Sequence, residues 1–137
     1  SVTSWVELHR EGLATDAWNF DHPEDEPRTP YLTQRLADAD APPVVAVSDY
    51  QRAVQELIRP WVPGDFASLG TDGFGLSDTR GALRRHFHID AESIAFQALR
   101  GLAKRGEVDD KVPAQAFASY RLDDVAAADP GVGMGDA

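Results

Sequence analysis

The chain has 137 residues, no cysteine and a formal net charge of −10, with a pI near 4.6. Disulfides and thiolate metal sites are excluded, leaving only oxygen and imidazole ligands. A general nucleic-acid surface or an anionic-membrane contact is disfavoured for want of clustered positive charge. With 42% hydrophobic and 26% charged residues the composition is that of an ordinary soluble domain. A chain of this size is expected to bury about 68–70% of its unfolded surface in one core. No run approaches the ~18 apolar residues of a membrane span, and no basic flank precedes an apolar core and cleavage site. These features fit a cytoplasmic protein.

At the start, Val2, Ser4 and Val6 alternate with Thr3 and Trp5, which predicts a half-buried strand. The absence of a turn before it suggests a chain that begins part-way into its domain. Pro23, Pro27, Pro30, Pro42 and Pro43 then mark a wrapping loop, because each removes a backbone donor. Between them Tyr31, Leu32 and Leu36 suggest a short helix from Pro30 to about Asp38. "PVVAVSDY" is an almost unbroken apolar run, read as a strand of a parallel sheet buried on both faces, with Asp49 able to cap the helix after it.

Val54, Leu57 and Ile58 have helical spacing, and Pro60 ends or bends that helix. "DFASLGTDG" is the third candidate strand. After its glycine-rich corner, "DTRGALRRHF" predicts a helix. "DAESIAFQALRGLAKRG" predicts a longer one, with Asp90 as N-cap, Ile94, Ala95, Ala98, Leu99 and Leu102 as its apolar stripe and Gly106 as its C-cap. "VPAQAFASYRL" adds a short helix, and residues 123–137 read as a flexible tail. Strands alternating with helices indicate an α/β fold with a parallel sheet, although three strands are few for such a domain.

The corner invites a phosphate-binding reading. A dinucleotide fingerprint would need glycine where Asp78 stands, and a carboxylate there repels a pyrophosphate at a helix N-terminus. A Walker loop would need a lysine, and none lies before Lys104. The corner therefore reads as a tight turn, its glycines supplying positive φ and Ser77 or Asp78 capping the next helix. His86 and His88 straddle a helix end without a third ligand, which argues against a metal site. Ser48 has no locatable base, and Asp72 and Asp78 are turn aspartates of the kind that bond their own backbone. Trp5, Trp18 and Trp61 read as core or interface anchors. No catalytic, cofactor-binding or metal residue is assigned.

"SVTSW", "VSDY", "LGTDGFGLSDTR" and "RRHFHIDAESI" together resemble the C-terminal end of the homodimeric bacterial type of pyruvate dehydrogenase. The resemblance implies a transketolase C-terminal-like domain over residues 1–122, a three-layer, mostly parallel sheet with helices on both faces that lacks its first strand and helix. The complete enzyme of that family uses thiamine diphosphate and Mg²⁺, forms a homodimer and passes an acetyl unit to dihydrolipoyl acetyltransferase. This segment is expected to bind no cofactor, because the family's Gly-Asp-Gly signature is absent. Its expected role is assembly, with Gly73, Phe74, Gly75, Asp78 and Trp61 as structural-loop or interface candidates. Two other readings are a stand-alone module docking a basic partner through Asp21, Glu24, Asp25 and Glu26, and an independent enzyme using Asp72, Asp78 and His86.

Overall fold

The computed structural model describes residues 2–37 and 41–128. In chain order the elements are α1 (Trp5–Asp21), α2 (Tyr31–Leu36), β1 (Val44–Val47), α3 (Arg52–Glu56), a 3-10 turn at Arg59–Trp61 and β2 (Phe66–Leu69). They are followed by α4 (Arg80–His86), α5 (Ala91–Lys104), α6 (Lys111–Ser119) and a 3-10 turn at Val125–Ala127. The fold is α/β, with a small parallel sheet and several helices. β1 and β2 pair in parallel from Val44 opposite Phe66 to Val47 opposite Leu69, and α3 makes the crossover that parallel pairing requires. Both strands are only partly buried, with Ala46 their one fully enclosed residue.

The opening segment departs from the expected strand. The hydroxyl of Ser4, in extended backbone, accepts the Glu7 N–H at 3.2 Å and starts a helix of 17 residues. Ser4 and Glu7 have the S-x-x-E spacing of a helix start. The alternation of Val2, Ser4 and Val6 reflects a capping turn and an outward face rather than a pleat, and Val2 and Val6 are both exposed.

What α1 buries is the opposite face. Gly12 lies against the Trp61 ring so closely that a Cβ would come within 2.5 Å of Cε2. Trp61 is 7% exposed, and its Nε1 donates to Asp16 Oδ2 at 2.9 Å. The Glu11 carboxylate accepts the Tyr31 N–H at 3.1 Å, and Thr33 Oγ1 donates to the Trp61 carbonyl at 2.6 Å, so α2 is tied to the same core. The proline-rich segment folds back on α1. Asn19 exchanges two bonds with the Arg28 backbone, and the Arg28 guanidinium sits 3.6 Å over Trp18.

Asp49 does not cap α3. Gln51 is the N-cap and makes no side-chain bond, while Ser48 Oγ takes the Tyr50 N–H at 3.1 Å. Gln55 is fully buried, with its amide donating to Ser48 Oγ at 2.7 Å and the Leu69 carbonyl at 3.1 Å, and so latches α3 across the ends of both strands. At the next position, Glu56 accepts from Arg59 Nε at 2.5 Å and from Ser68 Oγ. The Arg59 hydrogen bonds pull its carboxyl down from 4.5 to about 2, with partial burial opposing and Ser68 assisting. A carboxylate held below its unfolded value stabilises the fold above that value and loses the contribution as pH falls through the folded one. Stability in acid titration should accordingly decline between about pH 4.5 and 2, and Glu56→Gln should flatten that decline.

Helix α5 and its two caps form as read. Asp90 accepts the Ser93 N–H, Gly106 adopts φ +73° past the end of α5, and α5 packs along β1, where Gly101 leaves room for Pro43. The expected end of α2 at Asp38 and most of the expected tail, residues 129–137, lie outside the described residues. The start of that tail is ordered: Asp124 caps the Val125–Ala127 turn, which packs on α4.

Candidate interface loop

Residues 70–79 leave β2 as a loop with a fixed base and a bare tip. A Cβ on Gly70 would come within 2.4 Å of the Tyr50 carbonyl oxygen and 3.1 Å of Arg52 Cγ, so no side chain fits there. Thr71 donates its N–H to Tyr50 at 2.9 Å and its hydroxyl to Asp49 at 3.0 Å. The Asp72 carboxylate accepts from the Arg52 backbone at 2.9 Å and from Arg52 Nε at 2.5 Å. Those bonds, the backbone one foremost, hold its carboxyl below the ordinary range. This staple joins the loop to the start of α3, 20 positions away in sequence.

Beyond it, among the described residues, nothing crowds the glycines of the tip. Gly73 adopts φ +94°, Phe74 is 96% exposed and Leu76 is exposed, and a Cβ at Gly73 or Gly75 would meet no atom of the described residues within 4 Å. The far end is closed by Asp78, which accepts the Thr79 N–H at 2.7 Å, and by Thr79, whose hydroxyl accepts the Ala82 N–H at 3.2 Å. Thr79 is therefore the cap of α4, a role the sequence reading gave to Ser77 or Asp78. Of the five singled-out residues, Gly73, Phe74, Gly75 and Asp78 share this loop, while Trp61 lies apart from it beneath α1.

Beside the loop base, at the carboxyl ends of the strands, a cleft of about 290 Å³ is lined by Arg52, Ser68, Gly70, Asp72, His86 and His88. Ligands of open α/β sheets settle at such ends. Here the guanidinium is neutralised by Asp72 and the Ser68 hydroxyl is given to Glu56, so the polar groups are already engaged with one another. Asp72 and Asp78 each accept a backbone N–H, which leaves neither placed as a free base for His86. Among the described residues no three His, Asp or Glu side chains converge to hold a metal ion.

Sequence reasoning counts Arg85 with Arg80 and Arg84 as one local basic patch, yet its side chain is 1% exposed. Its Nε donates to Asp90 at 2.5 Å and its Nη1 to the carbonyls of Tyr120 and Arg121 at 3.1 and 3.0 Å, binding α4 and α5 to the end of α6. The signal available was Asp90 five residues on, close enough to neutralise a buried arginine.

Residues 1–90, which contain the whole loop, match the transketolase-like TK C-terminal domain family. The chain belongs to that family. This transketolase-like domain is 59% identical over 128 residues to the pyruvate dehydrogenase E1 component of Mycolicibacterium smegmatis, a match covering 93% of this chain and 14% of the relative. It is 54% identical over 138 residues to the protein of that name from Mycobacterium tuberculosis, covering 97% and 15%. With that from Escherichia coli K12 it shares 48% over 124 residues, covering 90% and 14%. The chain thus spans about one-seventh of the length of these curated relatives. The resemblance read from "SVTSW", "VSDY" and "LGTDGFGLSDTR" holds, and the small parallel sheet with its helices is consistent with the family fold.

Proposed function

We propose that this transketolase-like domain is the C-terminal assembly part of a pyruvate dehydrogenase E1-type enzyme. The complete chain would oxidatively decarboxylate pyruvate and transfer the acetyl unit to the lipoyl group of dihydrolipoyl acetyltransferase, as a cytoplasmic homodimer. The observation that carries the reading is the 59% identity over 93% of this chain to an E1 component seven times its length. Such similarity, running through the whole segment, favours a shared part of one enzyme over a separate acidic docking module.

Thiamine diphosphate and Mg²⁺, which that family implies, do not fit the residues described. Arg52 is occupied by Asp72, and no cluster of carboxylates or imidazoles offers a cation site among the described residues. In this proposal both belong elsewhere in the complete enzyme, where the cofactor supplies the electron sink. What this domain contributes is position, through a loop whose base is fixed and whose tip, Phe74 to Leu76, is left for another surface.

The test is a chimera in which this chain replaces the matching segment of the M. smegmatis E1 component, assayed for pyruvate oxidation with an artificial electron acceptor. The chimera should turn over and the enzyme lacking the segment should not. A truncated enzyme that keeps full activity would overturn the assembly role. Gly75→Val then probes the tip. A Cβ there meets no described atom within 4 Å, so the fold should be little affected, whereas activity should fall by about ten-fold or more if another surface closes on the loop. Undiminished turnover of that variant would sink the loop's part in assembly.

A further inference from the structure

Over the first half of both strands a second cleft, of about 460 Å³, opens between the sheet and α5. Its shape follows from one close approach. A Cβ on Gly101 would come within 2.6 Å of Pro43 Cβ, so the helix lies hard against the entry to β1. It packs chiefly along β1, and the wedge left over Phe66 and Ala67 is the cleft, which Val45 also lines. The rim is set by α5. Arg100 and Lys104, four positions apart, line one side, and Asp65 lines the other, with its Oδ1 2.5 Å from Lys104 Nζ. Like charges at that spacing repel along a helix, and Asp65 answers only one of them. Arg100 Nη1 donates to the neutral Gln97 Oε1 at 3.3 Å, and no carboxylate pairs with its guanidinium among the described residues. An apolar floor with one uncompensated guanidinium at its edge thus stands on a chain of net charge −10.

We propose that this cleft is a binding site for an aliphatic monocarboxylate, with its head group on Arg100 and its hydrocarbon along Val45, Phe66 and Ala67. The volume lies within the range of small-molecule sites, whose walls are mostly apolar with a few placed polar groups. A guanidinium presents two parallel N–H donors that match a single carboxylate. A phosphate dianion is served less well. The second cation, Lys104, is already neutralised, and the Asp65 carboxylate beside it repels a doubly charged head. An apolar cation is disfavoured by Arg100 itself. The site sits at the opposite end of the strands from the loop at residues 70–79, and it does not depend on the E1 reading.

Photolabelling tests the site in the chimeric enzyme, where the rest of the polypeptide is free to cover the cleft. A diazirine-bearing analogue of octanoate should label the peptides that contain Phe66 and Ala67 and those that contain Gln97 to Lys104, and excess octanoate should suppress the label where the same excess of 1-octanol does not. Arg100→Gln should reduce labelling by about ten-fold or more, the loss expected of a charge-assisted hydrogen bond. Gln97→Trp, which sets an indole into the cleft from a half-buried position on α5, should block it. Both variants should melt at the temperature of the unaltered chimera, so that a lost label reports the cleft and not the fold. Absence of label from these peptides, as covering by another part of the enzyme would produce, overturns the inference. So would equal suppression by 1-octanol, stronger suppression by octyl phosphate than by octanoate, or a label indifferent to Arg100→Gln.

Discussion

Arg85→Ala is expected to lower the unfolding free energy of the chain by about 3–5 kcal/mol, the cost of leaving a buried ionic partner uncompensated. The Arg85 side chain is 1% exposed and its partner Asp90 10%, so solvent cannot take over either charge. Two main-chain carbonyls, of Tyr120 and Arg121, lose their donor in the same step. Burial alone would raise the Asp90 carboxyl, but hydrogen bonding from Ser93 and the arginine outweigh it and hold the group below its ordinary range. Removing the arginine removes part of that support. The double variant Arg85→Met with Asp90→Asn should recover much of the loss, since asparagine still caps α5 and no charge is left buried. Urea midpoints for the three proteins would decide it; a single-variant loss below about 1 kcal/mol would place the pair among weak surface bridges instead.

Trp61→Ala should cost a similar amount, about 3–5 kcal/mol, because it empties the seat on which α1 rests and removes the bond to Asp16. Gly12→Ala attacks the same seat from the other side and should cost about 1–3 kcal/mol through overpacking against the ring. The two effects should not add. Once the indole is gone, alanine at position 12 meets no ring, and its helix propensity favours it over glycine by about 1 kcal/mol. Thermal unfolding of both single variants and the double would show strong coupling; simple additivity would mean that the α1–Trp61 contact is not the seat described.

The parts of the fold legible in the sequence are those set by local chemistry. "VVAV" and "FASL" read as parallel strands because they are apolar and bounded by Pro, Gly and Asp, and α5 was legible from Asp90, its stripe and Gly106. The failure at α1 has an equally local cause. Val2, Ser4 and Val6 mimic a period of two over five residues, too short a window to outweigh the Ser4–Glu7 spacing that starts a helix. The caps were misplaced by one or two residues, at Asp49 and at Ser77 or Asp78, because several polar side chains in a row compete for the same N–H groups. The burial of Arg85 was hinted at only by Asp90 five residues on, and the Arg52–Asp72 staple was illegible for a different reason: charged residues default to the surface, and the staple depends on an approach that only the folded chain creates. At the loop, sequence and structure agree that glycines make the turn, but only the structure shows how fully Phe74 stands out from it.

The parallel pairing of β1 with β2 also fixes an order of events. Strands that run the same way cannot close as a hairpin, so the sheet cannot zip up from a turn. The chain must first cross back through α3, with the loop-closure entropy of that excursion met before any ladder bond rewards it. Helices α1 and α5 can nucleate on sub-microsecond to microsecond timescales from contacts within themselves. The sheet, though short, is therefore the late and slow element, and a ribosome releasing this segment would present finished helices before it presented a finished core.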